Sequence, residues 1–123
     1  QGVQVQASRV HGWGLFACKP FETGDHVLVM KGKWMQEDDY AIRYPPGKRP
    51  IYVVRSRFDP GFYLELHGTG KYVNEPPQGV PPNVAMEESD PVEEVTSHGV
   101  VWLVAKAPIA QGEELLALYS PGQ

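Results

Sequence analysis

The 123-residue chain has one cysteine, Cys18, so no internal disulfide can form and a cysteine-rich zinc site is excluded. A lone thiol is compatible with a reducing environment, and the expected location is intracellular, in cytoplasm or nucleus. No apolar run approaches the length of a membrane span, and the start carries no signal-peptide pattern. Positive charge is scarce as well. Eleven Lys and Arg stand against 15 Asp and Glu, giving a net charge of −4, and no global field favours a nucleic-acid partner. Internal repeats and low-complexity tracts are absent. The chain opens on Gln1 rather than Met, as a processed product or an excised fragment does.

Glycine and proline are plentiful, at 13 and 12 residues, which favours many short elements joined by tight turns. A hydrophobic fraction of 41% with 21% charged residues is that of an ordinary globular chain, and the length suits one domain over residues 1–123. The expected class is mostly β.

Val3, Val5 and Ala7 alternate with Gln4 and Gln6, the period of a half-buried strand. Trp13 to Cys18 and Val27 to Met30 read as further apolar strands, with Lys31-Gly32-Lys33 turning the chain. Over Met35 to Tyr44 the spacing predicts a short helix, its early Glu37, Asp38 and Asp39 suited to a helix N-terminus and Pro45-Pro46 ending it. Ile51 to Val54 is β-branched and aromatic, hence strand. Phe62, Leu64 and Leu66 alternate with Tyr63, Glu65 and His67 as a half-exposed strand. Val84 to Met86, Val100 to Ala105 and Leu115 to Tyr119 complete the strands. The acidic run Glu87 to Glu94 reads as a solvated hairpin tip, with weak attraction for a basic peptide as a secondary reading.

The centre of this arrangement is Gly70 to Ala85. Tyr72 and Val73 are β-prone, but Asn74-Glu75 is followed by Pro76-Pro77, which cannot donate to a ladder, so a strand ends at Asn74. Pro81 and Pro82 then deliver the chain to Asn83. Two asparagines thus bracket a stiff, extended loop.

Three segments in this order carry a family likeness: Gly12-Trp13-Gly14-Leu15-Phe16-Ala17, then Lys71-Tyr72-Val73-Asn74-Glu75 with Pro82-Asn83, then Gly112-Glu113-Glu114-Leu115-Leu116-Ala117-Leu118-Tyr119. From Val5 to Tyr119 the chain resembles the SET domain, the lysine methyltransferase module that uses S-adenosylmethionine. The resemblance implies a mostly β, β-clip-like fold of several short sheets with one short helix. It also implies a knot-like crossing of the C-terminal segment at Asn74 and Tyr119.

It further implies a protein-lysine N-methyltransferase. Gly12, Trp13 and Gly14 would let the backbone meet the methionine part of the cofactor, the glycines leaving space that a side chain would fill. Tyr72, Asn74 and Glu75 would complete cofactor binding, Asn74 through its side-chain carbonyl and Glu75 through its backbone. Tyr119 would carry the catalytic hydroxyl, orienting the target amine. The lysine must be neutral to react, and a neighbouring sulfonium lowers its pKa, so no dedicated base and no metal is required. His67, Glu75 and His98 are the candidates for such a base and read better as surface or turn residues. The implied partner is a protein or peptide bearing the lysine, histone tails being the family's familiar targets.

The sequence departs from the family pattern at several places. Glu75 replaces a common histidine, Pro76-Pro77 replace Ser-Cys, Met30 stands where many members have an active-site tyrosine, and Leu118 stands where aspartate is common. The zinc-binding tail of many members is absent, so the wall of the lysine channel would come from Trp34, Trp102, a second copy of the chain or further sequence. These departures define an alternative: a SET-like protein-interaction module with weak or no catalysis.

Overall fold

The protein is described by a computed structural model, which covers residues 2–45, 47, 53–89 and 99–119. In chain order its elements are β1 (Val3–Ala7), β2 (Trp13–Ala17), β3 (His26–Val29), β4 (Gly32–Gln36), α1 (Glu37–Arg43), β5 (Val53–Arg55), β6 (Phe62–Leu66), a 3-10 turn (Thr69–Tyr72), β7 (Val84–Glu88) and β8 (Val101–Ala105). The strands form three small antiparallel sheets, ordered β1-β2, β3-β8-β7 and β4-β6-β5. No helix among the described residues is long and apolar enough to cross a membrane.

Each sheet contributes one face to a shared core. Leu15 of β2, Leu64 and Leu66 of β6, and Leu103 and Ala105 of β8 are fully buried in one cluster, joined by Val73, Ile109 and Leu115 from the connections. β8 lies between β3 and β7, with Met86 opposite Leu103 and His26 opposite Val104; a bulge between His26 and Leu28 shifts the register at its edge.

The expected alternation holds for Val3 and Val5 of β1, half-buried beside exposed glutamines, and ends at Ala7, which is exposed. It fails in β6. Leu64, Glu65 and Leu66 are all buried, because the Glu65 carboxylate is covered by partners from elsewhere in the chain. The expected turn at Lys31 to Lys33 is shorter than read, since Gly32 and Lys33 already pair with Leu66 and Glu65. Glycine is needed at position 32: a Cβ there would overlap the Glu65 carbonyl.

The expected helix forms, but not for the reason its apolar spacing gave. Met35 belongs to β4 and is buried there, while Ile42 is 79% exposed, and α1 buries no residue at all. Its acidic first turn complements the helix dipole, and its C-terminal end is held by polar and aromatic contacts. Tyr40 stacks on Tyr63 with ring centroids 3.9 Å apart and 8° between planes. Tyr44 and Arg43 both reach Glu65. Of the strand expected over Ile51 to Val54, Ile51 and Tyr52 lie outside the described residues, as do Asp90 to Glu94 of the acidic run and His98.

Two other strands do not form as expected. Tyr72 closes the 3-10 turn, which is tight enough that a Cβ on Gly70 would press on the Met30 sulfur. Leu115 to Tyr119 makes one isolated bridge, at Leu116, instead of a strand, because its partners alternate between separate parts of the chain. The Leu115 N–H donates to the Leu15 carbonyl at 2.7 Å, the Leu116 N–H to Asn83 Oδ1 at 2.8 Å and the Ala117 N–H to the Asn74 carbonyl at 2.9 Å. The Leu116 carbonyl accepts from the N–H groups of Asn83 and Val84. Residues at both ends of the proline-rich loop therefore grip one short segment, which runs between them. This is the knot-like crossing.

Candidate functional site

The turn Ser8 to Gly12 organises itself around one hydroxyl. Ser8 Oγ accepts the N–H of Val10 at 2.9 Å and of His11 at 3.3 Å, while the Ser8 N–H donates to the Gly12 carbonyl. Gly12 has φ +47°, a left-handed conformation that disfavours residues with a Cβ, and open space surrounds its Cβ position. The carbonyls on either side of it, His11 and Trp13, both face the Asn74 side chain. Asn74 Nδ2 donates to them at 3.0 and 3.1 Å.

Asn74 Nδ2 also lies 3.1 Å from Glu114 Oε2. Three acceptors on one side of the amide fix the NH₂ there and direct Oδ1 the other way. No hydrogen bond among the described residues falls on Oδ1. Glu114 in turn takes the Ser8 hydroxyl, 2.9 Å from both of its carboxylate oxygens. It is half-buried and has no cationic partner among the described residues. The glycine at 14 has its immediate cause here: a Cβ would collide with the Glu114 carboxylate and press on Ser8. The sequence reading gave that space to a cofactor. In the structure the Glu114 carboxylate and Ser8 fill the Cβ side.

Asn83 holds the third motif from the opposite side. It is buried, with Nδ2 donating to the Glu114 carbonyl at 2.9 Å and Oδ1 accepting from Leu116, and its own N–H donates to the Leu116 carbonyl. Its side chain and backbone thus act as a strand partner for Glu114 to Leu116. The Tyr119 hydroxyl donates to the Val73 carbonyl at 2.7 Å, and the Tyr119 N–H donates to Glu75 Oε2 at 2.9 Å.

Of the residues singled out from sequence, the structure brings Asn74 against the carbonyl of Trp13, the residue between Gly12 and Gly14, and ties Glu75 and Tyr119 to each other. Trp13 is 61% exposed and stands outside the core. Tyr72 is half-buried, its ring 5.3 Å from the Lys71 ammonium. Trp34 packs against the core, and Trp102 stands edge-on to His26, with ring centroids 5.0 Å apart. Met30 is buried beneath Gly70, and Leu118 is 43% exposed.

Sequence reading missed Ser8, Glu114 and Asn83 as site residues. Glu114 was visible only as part of a terminal pattern, and its role depends on pairing with residues from the start of the chain. A separate cleft lined by Arg57, Phe58, Glu87 and Glu88 includes none of the motif residues.

No family model matches the chain, and no curated protein matches it in sequence. Solved structures do share its fold. The Chaetomium thermophilum Polycomb Repressive Complex 2 with H3K27me3 and H3K27M superimposes at TM-score 0.78 and 20% identity, over 100% of this chain and 15% of that one. The same complex in an autoinhibited conformation bound to S-adenosylmethionine gives 0.76 and 20%, over 98% and 15%. A candidate histone methyltransferase of Plasmodium falciparum gives 0.70 and 15% identity, over 99% of this chain and 96% of that one. The fold is that of the SET-domain methyltransferases. The chain spans 15% of the Chaetomium chains it matches.

Proposed function

We propose that this chain transfers a methyl group from S-adenosylmethionine to a lysine side chain of a protein substrate, with histone tails as the first class to test. One observation carries the reading. The Asn74 amide sits where three distant motifs meet, gripping the carbonyls of His11 and Trp13 on one hand and the Glu114 carboxylate on the other.

The donor set suits this cofactor. Glu114 is a half-buried carboxylate that accepts from the Ser8 hydroxyl and the Asn74 amide and has no described counter-charge, so a cationic ligand nearby is favoured. Asn74 Oδ1 supplies a further acceptor for an ammonium group. When bound, S-adenosylmethionine supplies an electrophilic methyl on a positively charged sulfur. The Tyr119 hydroxyl, its proton committed to the Val73 carbonyl, presents lone pairs that accept an N–H of the incoming amine and orient it. Burial of the amine beside positive charge favours its neutral, nucleophilic form.

The interaction-module reading is supported by Met30, which is buried and adds no polar group around an amine, and by the apolar Leu118. One experiment separates the two. Calorimetric titration with S-adenosylhomocysteine should show saturable binding that Asn74→Ala abolishes. Radiolabelled methyl transfer into core histones should then fall on the order of a hundredfold in Tyr119→Phe, with cofactor binding retained. Absence of binding by the folded chain at millimolar cofactor would overturn the methyltransferase reading.

A further inference from the structure

Glu75 stands where the chain's own pairing runs out. Asn74 and Leu116 form an isolated parallel bridge, and the Ala117 N–H donates to the Asn74 carbonyl. To continue a parallel ladder from that rung, the N–H of residue 76 must donate to the carbonyl of residue 117, after which the carbonyl of residue 76 accepts from residue 119. Residue 76 is proline and has no N–H. The ladder therefore stops one rung short of Tyr119. At that point the Glu75 carboxylate accepts the Tyr119 N–H at 2.9 Å, while the Tyr119 hydroxyl reaches back to the Val73 carbonyl at 2.7 Å. The tyrosine is pinned by its backbone and by its side-chain tip to residues on either side of Asn74.

We propose that Glu75 is a positioning residue for Tyr119: its carboxylate, in place of the residue-76 carbonyl of a continued ladder, takes the Tyr119 N–H, and so fixes the main chain from which the Tyr119 hydroxyl is aimed. The proposal rests on the reading of Tyr119 as the group that orients the accepting amine. Two departures from the family pattern are thereby coupled. Pro76 deletes a donor and confines Glu75, as the residue before a proline, to extended backbone. Glu75 then supplies an ionised acceptor, the stronger kind for an amide N–H. Its backbone remains available to a cofactor, so the side chain and main chain of one residue serve different ends.

The test labels the full chain with ¹⁵N-tyrosine, which gives six amide signals, and identifies that of Tyr119 by its loss in Tyr119→Phe. In the native protein the Tyr119 amide proton should move as carboxylates titrate, because its acceptor changes charge. In Glu75→Gln, which keeps an acceptor oxygen without the charge, and in Glu75→Ala that movement should disappear. For methyl transfer into core histones, Glu75→Ala should lower kcat by about ten- to a hundredfold, with KM and S-adenosylhomocysteine affinity within about twofold. Glu75→Gln should recover most of the loss.

A Tyr119 amide indifferent to titration in the native protein overturns the proposal, as does an unchanged kcat in Glu75→Ala. Should Glu75→Ala fail to fold, the titration in Glu75→Gln still decides the tether. A titrating Tyr119 amide in a protein that transfers no methyl group would instead overturn the methyltransferase reading and leave the tether standing.

Discussion

Glu114 joins the three motifs, and its removal should be felt at each. Glu114→Ala strands the Ser8 hydroxyl and removes one acceptor from the Asn74 amide, and is expected to destabilise the fold by about 1–3 kcal/mol in denaturant unfolding. S-adenosylhomocysteine affinity, measured calorimetrically, should fall with it. The two glycines of the first motif should respond differently to alanine. Gly14→Ala drives a methyl into the Glu114 carboxylate and should weaken cofactor binding more than tenfold. Gly12→Ala meets no atom and should cost about 1–2 kcal/mol of stability, from its left-handed backbone alone. Both glycines were legible in the sequence as a pattern. Their separate reasons were not, since Gly14 answers to a carboxylate contributed from the far end of the chain.

Among the elements, α1 is the one least secured by burial. Its anchor is Glu65, which accepts the Tyr44 hydroxyl at 2.6 Å and lies 3.1 Å from both Arg43 Nε and His67 Nε2. The Tyr44 hydrogen bond, with contributions from His67 and Arg43, holds the Glu65 carboxyl below its ordinary range despite burial, and the same bond raises the Tyr44 phenol. A carboxylate depressed in the folded state stabilises it fully above its unfolded pKa, and that stabilisation is lost as pH falls through the folded value. Native stability should therefore decline below the ordinary carboxylate range. Glu65→Gln should be less stable at neutral pH, and the gap should close in acid; denaturant midpoints at pH 7 and pH 3 check this. Strict alternation in β6 concealed this residue, because period-two reasoning sends a glutamate to solvent and cannot see donors arriving from a helix. The helix was legible from its acidic start and proline stop, while its apolar spacing was misleading: Met35 serves a strand and Ile42 faces water.

At the scale of the molecule, one core shared by three small sheets predicts a single cooperative unfolding transition. The terminal segment belongs to that core, with Leu115 and Ala117 fully buried and Leu116 clasped on both sides. Removing residues 113–123 should therefore abolish the cooperative transition rather than trim an end, which circular dichroism and thermal melting would report. The order of short strands was legible from turn residues and β-branched runs. The crossing was not, because it arises from side chains such as Asn83 that substitute for strand partners, and periodicity carries no trace of them. Family likeness supplied the crossing instead, and the hydrogen bonds around Leu116 explain how it is held. The clasp also sets an order of events during synthesis. Asn83 is made 33 residues before the Leu116 amide it will bind, which at roughly 5–20 residues per second leaves it waiting for about two to seven seconds. Throughout that interval the Asn83 amide lacks the partner that closes the clasp, so the crossing can form only after the terminal segment has been made.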